Sequence, residues 1–247
     1  MVIHDSHIHV GQFRDLYSSP EEVFEFLDKI GVSRMAVSSI GTCGGDPEVP
    51  IREVSKIVEL GKERIVPVLW LNPEWIESDE LSRLLDCGIA WKCIKVHGYF
   101  SRWEDRPELL QRTIDLAKKM NMPFLFHTGG RPESDAGSYL EVIRRNQDVR
   151  FILAHSRPVD QAIEVMKACP NAWADTAFTP VEDVAEMIKC GFSDRILWGT
   201  DYPLHNVFYE GEDIAHHLAD RIADFQMVMS AEEWERVSHL NFERIWS

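Results

Sequence analysis

Positive charge is scarce in this 247-residue chain, where 26 Lys and Arg stand against 41 Asp and Glu for a formal charge of −15. That balance argues against nucleic acid and anionic membranes as partners, since both are polyanions that cationic residues must neutralise. Cysteine is sparse too. Cys43, Cys87, Cys93, Cys169 and Cys190 are scattered, odd in number and form no C-x-x-C pair. This speaks against a disulfide framework or a zinc ribbon and for reduced thiols in the cytoplasm. No apolar run approaches the roughly 18 residues of a membrane span. The start of the chain lacks the basic-then-apolar order of a secretory signal. What remains is a soluble, cytoplasmic protein whose partner is a small molecule.

Short apolar and β-branched runs do recur: "VIHDSHIHV", "RMAVSSI", "IVPVLWLN", "CIKVHGYF", "MPFLFHTGG", "RFILAHSR", "AWADTAF" and "RILWGTDYP". Helical patterns separate them. The first, "SPEEVFEFLDKIG", carries its own punctuation, with Ser19 as N-cap, Pro20 at the first helical position, Glu22 closing a capping box and Gly31 as the stop. Eight strands alternating with helices, at a spacing of roughly 22 to 32 residues, have the size of β–α units. Together they predict a (β/α)8 TIM barrel with an extra C-terminal helix, as one domain over residues 1–247. A doubly wound open sheet is the alternative, and no glycine-rich phosphate loop after the first strand favours it. Trp234 and Trp246 in the final helices are placed to pack on the barrel or on a second copy, so a homo-oligomer is compatible.

In a barrel of this kind the active site is built at the C-terminal ends of the strands, and the polar residues of interest fall there. His7 and His9, at i and i+2, point the same way from strand 1. Two imidazoles so placed crowd each other unless something such as a metal ion engages both. Lys95 and His97 lie on strand 4, His127 ends strand 5, His155 ends strand 6 and Asp201 ends strand 8. Four histidines and one aspartate therefore converge on one mouth. Lys95, costly in a barrel interior, has three readings: neutralising a carboxylate, binding substrate, or forming a carbamate that bridges two metal ions. His97 is a candidate for substrate contact and His205 for proton shuttling. Asp5 either supports a ligand from behind or is structural, and His4, with the opposite parity, is structural.

The motifs "DSHIHV", "IKVHG", "FHTGG", "AHSR" and "LWGTDYP", with the closing "NFERIW", resemble the amidohydrolase superfamily over essentially the whole chain. The nearest branch is the amidohydrolase-2 group, similar to aminocarboxymuconate-semialdehyde decarboxylase. The resemblance implies that His7, His9, His127 and Asp201 hold one divalent metal, usually zinc. His155 then assists catalysis without binding it. In the binuclear variant, a carbamylated Lys95 bridges two metals and His127 and His155 ligate the second. The candidate catalytic residues are Asp201 and His155, with Lys95 as the residue that makes the second arrangement possible. In either arrangement, the ion would activate a water, Asp201 would carry that water's proton to the leaving group, and His155 would stabilise charge on the carbonyl oxygen.

The leading expectation is thus a metal-dependent hydrolase that cleaves a C–N or C–O bond (amide, lactone or ester) of a small molecule. The alternative is a metal-dependent decarboxylase or hydratase of a small unsaturated or aromatic acid, for which Arg102, Arg131 and Arg157 are candidate anchors and Trp103 a candidate cover. The superfamily's nucleases carry glutamate where Lys95 stands, and a charge of −15 suits DNA poorly. A binding protein that has lost its chemistry is disfavoured by the intact series from His7 to Asp201.

Overall fold

In a computed structural model, which describes residues 2–209 and 211–246, the apolar runs are strands of one curled sheet. In chain order they are β1 (Ile3–Phe13), β2 (Leu16–Ser18), β3 (Val32–Ser39), β4 (Ile65–Trp70) and β5 (Cys93–Val96). β6 (Phe124–His127), β7 (Phe151–Ala154), β8 (Ala172–Asp175) and β9 (Ile196–Leu197) complete it. The order is β2-β1-β3-β4-β5-β6-β7-β8-β9, and every pairing except the β1–β2 hairpin is parallel. The ring closes where the residues following β9 meet β1. Ser6 N donates to Trp198 O (2.9 Å), Asp201 N to His7 O (2.7 Å) and His9 N to Tyr202 O (2.8 Å). Gly199 permits that approach, since a Cβ there would lie 2.8 Å from Ser6 Oγ.

Helices α1 (Pro20–Lys29), α2 (Glu48–Gly61), α3 (Asp79–Asp86), α4 (Glu108–Lys119), α5 (Leu140–Arg145), α6 (Val159–Ala168) and α7 (Val181–Lys189) connect the strands. The capping box of α1 forms as the sequence predicts, with Ser19 Oγ accepting from Glu22 N and Glu22 Oε2 from Ser19 N. After β9 come the short α8 (His205–Phe208) and the long α9 (Ile214–Val228). A final run follows, from α10 (Ala231–Glu235) through a π turn to α11 (Asn241–Trp246). No helix among the described residues is long and apolar enough to cross a membrane.

Alternation along the strands builds two apolar layers. Outward residues such as Val37, Ile94, Phe124 and Phe151 pack under the helices. Inward residues including Val66, Val68, Leu125, Ile152 and Trp173 fill the lower barrel, where Phe242 and Ile245 of α11 plug the bottom. Asn241 anchors that plug by donating from Nδ2 to Ser193 O (2.8 Å) and Ile196 O (2.7 Å). Asn241→Ala leaves both buried carbonyls unpaired and should cost about 2–3 kcal/mol. A urea melt checks this, and a loss under about 0.5 kcal/mol would show that α11 holds without the anchor.

Two local readings need correction. His7 and His9 do not end their strand, because β1 runs on to Phe13 and turns back through β2. That hairpin was not legible from "GQFRDLYSS", which lacks the usual two-residue turn signal. Trp103 does not face the barrel mouth. It is buried, and its indole N–H donates to Leu71 O (2.9 Å).

Candidate active site and metal centre

Above the apolar fill, the next inward positions are polar. His7 and His9 come from β1, Ser38 from β3, Lys95 from β5, His127 from β6 and Asp175 from β8, and all but the partly buried His127 are fully buried. His155 and Asp201 need a backbone device to join them. Ala154 faces inward, so plain alternation would turn His155 out, but a left-handed φ of +70° returns it to the mouth. Asp201 has φ of +61°, in the region that Asp and Asn tolerate best among non-glycine residues. Such sparsely populated conformations persist where the surroundings over-determine them.

Asp5 makes the seam rigid behind these residues. Its carboxylate accepts from His7 N (3.0 Å), Thr200 N (3.1 Å) and Thr200 Oγ1 (2.7 Å), tying β1 to the segment that carries Asp201. Burial pushes its carboxyl up to about 8, against those three donors.

The ring nitrogens fall into two sets. The outer set is engaged by protein: His7 Nδ1 with Asp175 Oδ2 (2.9 Å), His9 Nδ1 with Ser38 Oγ (2.8 Å) and His155 Nδ1 with Ala177 O (3.0 Å). A carboxylate and a carbonyl only accept, so Nδ1 of His7 and of His155 carries the proton and Nε2 is left with a lone pair. Burial and the ammonium of Lys95 push His7 and His9 down to about 3, and burial takes His155 to about 4. The rings are therefore neutral donors.

These Nε2 atoms face one another across a small space. His7 Nε2 lies 3.3 Å and His9 Nε2 2.9 Å from Asp201 Oδ1, which has no hydrogen-bond partner although it is buried. His155 Nε2 lies 3.9 Å from Asp201 Oδ2. Lone pairs pointed at a carboxylate repel unless positive charge stands between them. Lys95 Nζ provides some of it, at 2.7 Å from His7 Nε2 and 2.9 Å from His9 Nε2. Burial lowers this ammonium to about 8, against the pull of Asp201 and Asp175. Burial opposes ionisation of Asp201, but a proton entering the cluster goes first to His7, His9 or His155, and the charged rings then hold the carboxyl well below the ordinary carboxylate range.

The donor set thus fits a divalent cation: nitrogen lone pairs fixed from behind, an unpartnered carboxylate oxygen, and ligand atoms of His7, His155 and Asp201 all within 4.8 Å of one another. His127 stands apart from that group. Its ring stacks on His97 (3.7 Å, 12°), which in turn stacks on Trp70 (5.6 Å, 8°), and its Nε2 meets Tyr99 Oη at 3.3 Å.

Asp175, Ser38 and Trp70 are participants that the sequence reading did not single out. Asp175 also accepts from His155 N (2.7 Å) and Ala177 N (3.0 Å), so one carboxylate orients two histidines. Its place at the end of "AWAD", with inward parity, was the available signal. Replacing it with Asn should weaken metal binding by about 10–100-fold, the usual cost of losing a partner behind a ligand histidine. Competition against a chromophoric chelator measures this, and an unchanged affinity would remove Asp175 from the centre.

A cavity of about 410 Å³ opens over the cluster. Phe13, Ile40, Trp70, Phe100, Phe178 and Phe208 form much of its apolar wall. Arg14 and Arg157 lie at its edge, and Asp201 is the one carboxylate among its described lining residues. The cavity is therefore locally positive in an acidic protein. Of the three anchors expected from sequence, Arg157 reaches it. Arg102 is exposed and pairs with Asp105 (2.9 Å), and Arg131 lies over the Tyr99 ring at 4.8 Å. His205 is buried behind the wall, stacked on Phe178 at 4.3 Å.

A family model described as amidohydrolase matches residues 6–247. Among solved structures, a probable 2-pyrone-4,6-dicarboxylic acid hydrolase from Acinetobacter baumannii, with citric acid bound, superposes with a TM-score of 0.71 at 12% identity. The match covers 100% of this chain and 99% of that one. 5-Carboxyvanillate decarboxylase from Sphingomonas paucimobilis gives 0.70 at 12% identity, covering 99% and 98%. A zinc-bound amidohydrolase from Burkholderia multivorans gives 0.69 at 12% identity, covering 100% and 99%. No curated protein sequence matches. At such identities the superpositions establish a shared fold.

Proposed function

The chain belongs to the amidohydrolase family, and from that premise we propose that it is a metal-dependent hydrolase of a small carboxylate-bearing molecule with a scissile C–N or C–O bond. One observation carries the reading: neutral, protein-oriented imidazoles and the unpartnered Asp201 Oδ1 converge at the floor of a cation-edged cavity. His7, His9 and Asp201 would hold the ion, with His127 or His155 completing the set, and the nitrogen-rich donors suit zinc. When bound, the ion would supply a water whose pKa is lowered towards roughly 7 and would polarise the substrate carbonyl.

The remaining chemistry belongs to side chains. Asp201, whose carboxyl is held below the ordinary carboxylate range, accepts the proton of the attacking water and returns it to the leaving group. Where His155 is not a ligand, its neutral ring stands beside Asp201 to stabilise charge on the carbonyl oxygen. Lys95 supplies positive charge to the same space, or a bridging carbamate if two ions bind. Arg14 and Arg157 pair with the substrate carboxylate at the cavity edge, and the aromatic wall covers its apolar body.

A decarboxylase is the second reading. The same aromatic wall and arginines would seat a flat unsaturated acid with its carboxylate over the centre. Elemental analysis of protein purified without chelator, followed by parallel screens, separates the two. Lactones, esters and amides bearing a carboxylate are followed by acid release, and aromatic acids by CO2 release. Turnover in the first screen supports hydrolysis, and turnover confined to the second replaces it with decarboxylation. Protein that neither contains metal nor takes up added zinc would sink both readings.

A further inference from the structure

Two cations lay claim to the same atoms at the floor of the cavity. Lys95 Nζ stands 2.7 Å from His7 Nε2 and 2.9 Å from His9 Nε2. An ammonium has donors and no acceptor, so both ring nitrogens accept from it. For His7 the backing residue leaves no other choice, because its Nδ1 proton goes to Asp175 Oδ2 and Nε2 alone keeps a lone pair. An imidazole nitrogen has one such pair. It can be spent on an N–H of Lys95 or on a metal ion, and not on both.

The side chain is set in this position by the fold. β5 directs it inward, 2% exposed, with Nζ against the two rings. An amine that merely neutralised Asp201 would lie against its oxygens. Among the described residues no carboxylate pairs with Nζ, and its hydrogen bonds go to the two histidines. The ammonium thus gathers the imidazoles as an ion would. A divalent ion bonded to the same nitrogens would stand against it, and like charges in a dry site repel strongly. The way out is short. Nζ is already 4.4 Å from the centre of the Trp70 ring, whose face attracts an ammonium and whose N–H is fixed on Ser101 Oγ (2.6 Å).

We propose that Lys95 is an internal competitor for the metal seat: its ammonium holds His7 and His9 by the lone pairs that an ion needs, and an ion binds them as Lys95 withdraws towards Trp70. The inference rests on the reading of His7, His9 and Asp201 as a metal centre. It departs from a carbamate bridge, in which Lys95 would be a ligand, because here the ion gains when the side chain is removed.

The test is titration of metal-stripped protein with zinc against a chromophoric chelator, in buffers with and without bicarbonate. Lys95→Leu should bind zinc at least about tenfold more tightly than the wild type in both buffers, since the worth of one charge-assisted hydrogen bond or more is no longer given up. Lys95→Ala serves if the leucine variant does not fold. Zinc should also raise the melting temperature further in the variant, whose metal-free form has no cation between the rings and Asp201. Weaker zinc binding than in the wild type would make Lys95 a ligand, as an amine or, with bicarbonate, as a carbamate, and would overturn the proposal. Equal affinity would overturn it too, with the metal centre left standing. Zinc uptake by neither protein would bring down the metal centre and the proposal together.

Discussion

Asp201→Asn should cut turnover by three orders of magnitude or more while leaving a folded barrel. The substitution keeps the shape of the side chain, and Asn accepts the left-handed backbone of φ +61° as readily as Asp does. The amide N–H of residue 201 still donates to His7 O, so the seam survives. What disappears is a negative charge beside two ring nitrogens and the capacity to take a proton. A residue that both carries the proton and supports the charged centre is asked for roughly 4 kcal/mol or more, which is a thousandfold in rate. The measurement is kcat on whichever substrate the screens identify, with far-ultraviolet circular dichroism as the control for folding. Undiminished turnover in a folded variant would take Asp201 out of the chemistry.

Acid should unfold the metal-free protein well before an ordinary barrel of this size yields. His7, His9 and His205 are pushed by burial to about 3, and His155 to about 4, whereas an exposed histidine titrates near 6.5. Between those values the unfolded chain binds protons that the folded chain refuses. Stability present above pH 6.5 is therefore lost as the pH falls, at up to about 1.4 kcal/mol per unit for each ring. Two carboxyls work the other way. Burial raises Asp5 to about 8 and Asp175 to about 6, so the folded chain holds protons there that the unfolded chain releases down to its own carboxylate range near 3.8.

His97 and His127 are lowered by burial as well, so the rings outnumber the two carboxyls and stability falls as the pH drops from 6 towards 4. Urea melts of chelator-treated protein at pH 7, 6 and 5 read this directly. A midpoint that stays flat across that range would mean that the rings are charged in the folded state.

The sequence carried the fold well because it is written in local terms. Apolar runs of strand length, capped helices and regular spacing survive without knowledge of neighbours, and Ser19 with Glu22 behaves as its pattern requires. The hairpin of β1 and β2 escaped for want of a turn signal, and with it Arg14, which the hairpin delivers to the cavity. Among the site residues, those at strand ends were legible from parity. Their supports were not, because a support is defined by the strand next door. Ser38 meets His9 only through the β1–β3 register, and Asp175 reaches His7 across the barrel interior. His155 was found by its position at a strand end, yet alternation alone would have turned it outward, and its backbone conformation is a three-dimensional fact.

The seam has a consequence in time as well as in space. Asp5 and Thr200, whose side chains bond across it, are 195 residues apart in the chain. Contacts of such span carry a large loop-closure cost and form late in folding. Asp201 follows His9 by 192 residues in the chain (201 − 9), so the two histidines precede it in synthesis by that length. If these residues hold an ion as proposed, the two histidines alone make an unfinished chelate until the seam forms. Loading would then await closure of the cylinder, and an ion that binds the closed form alone would act as a latch on it.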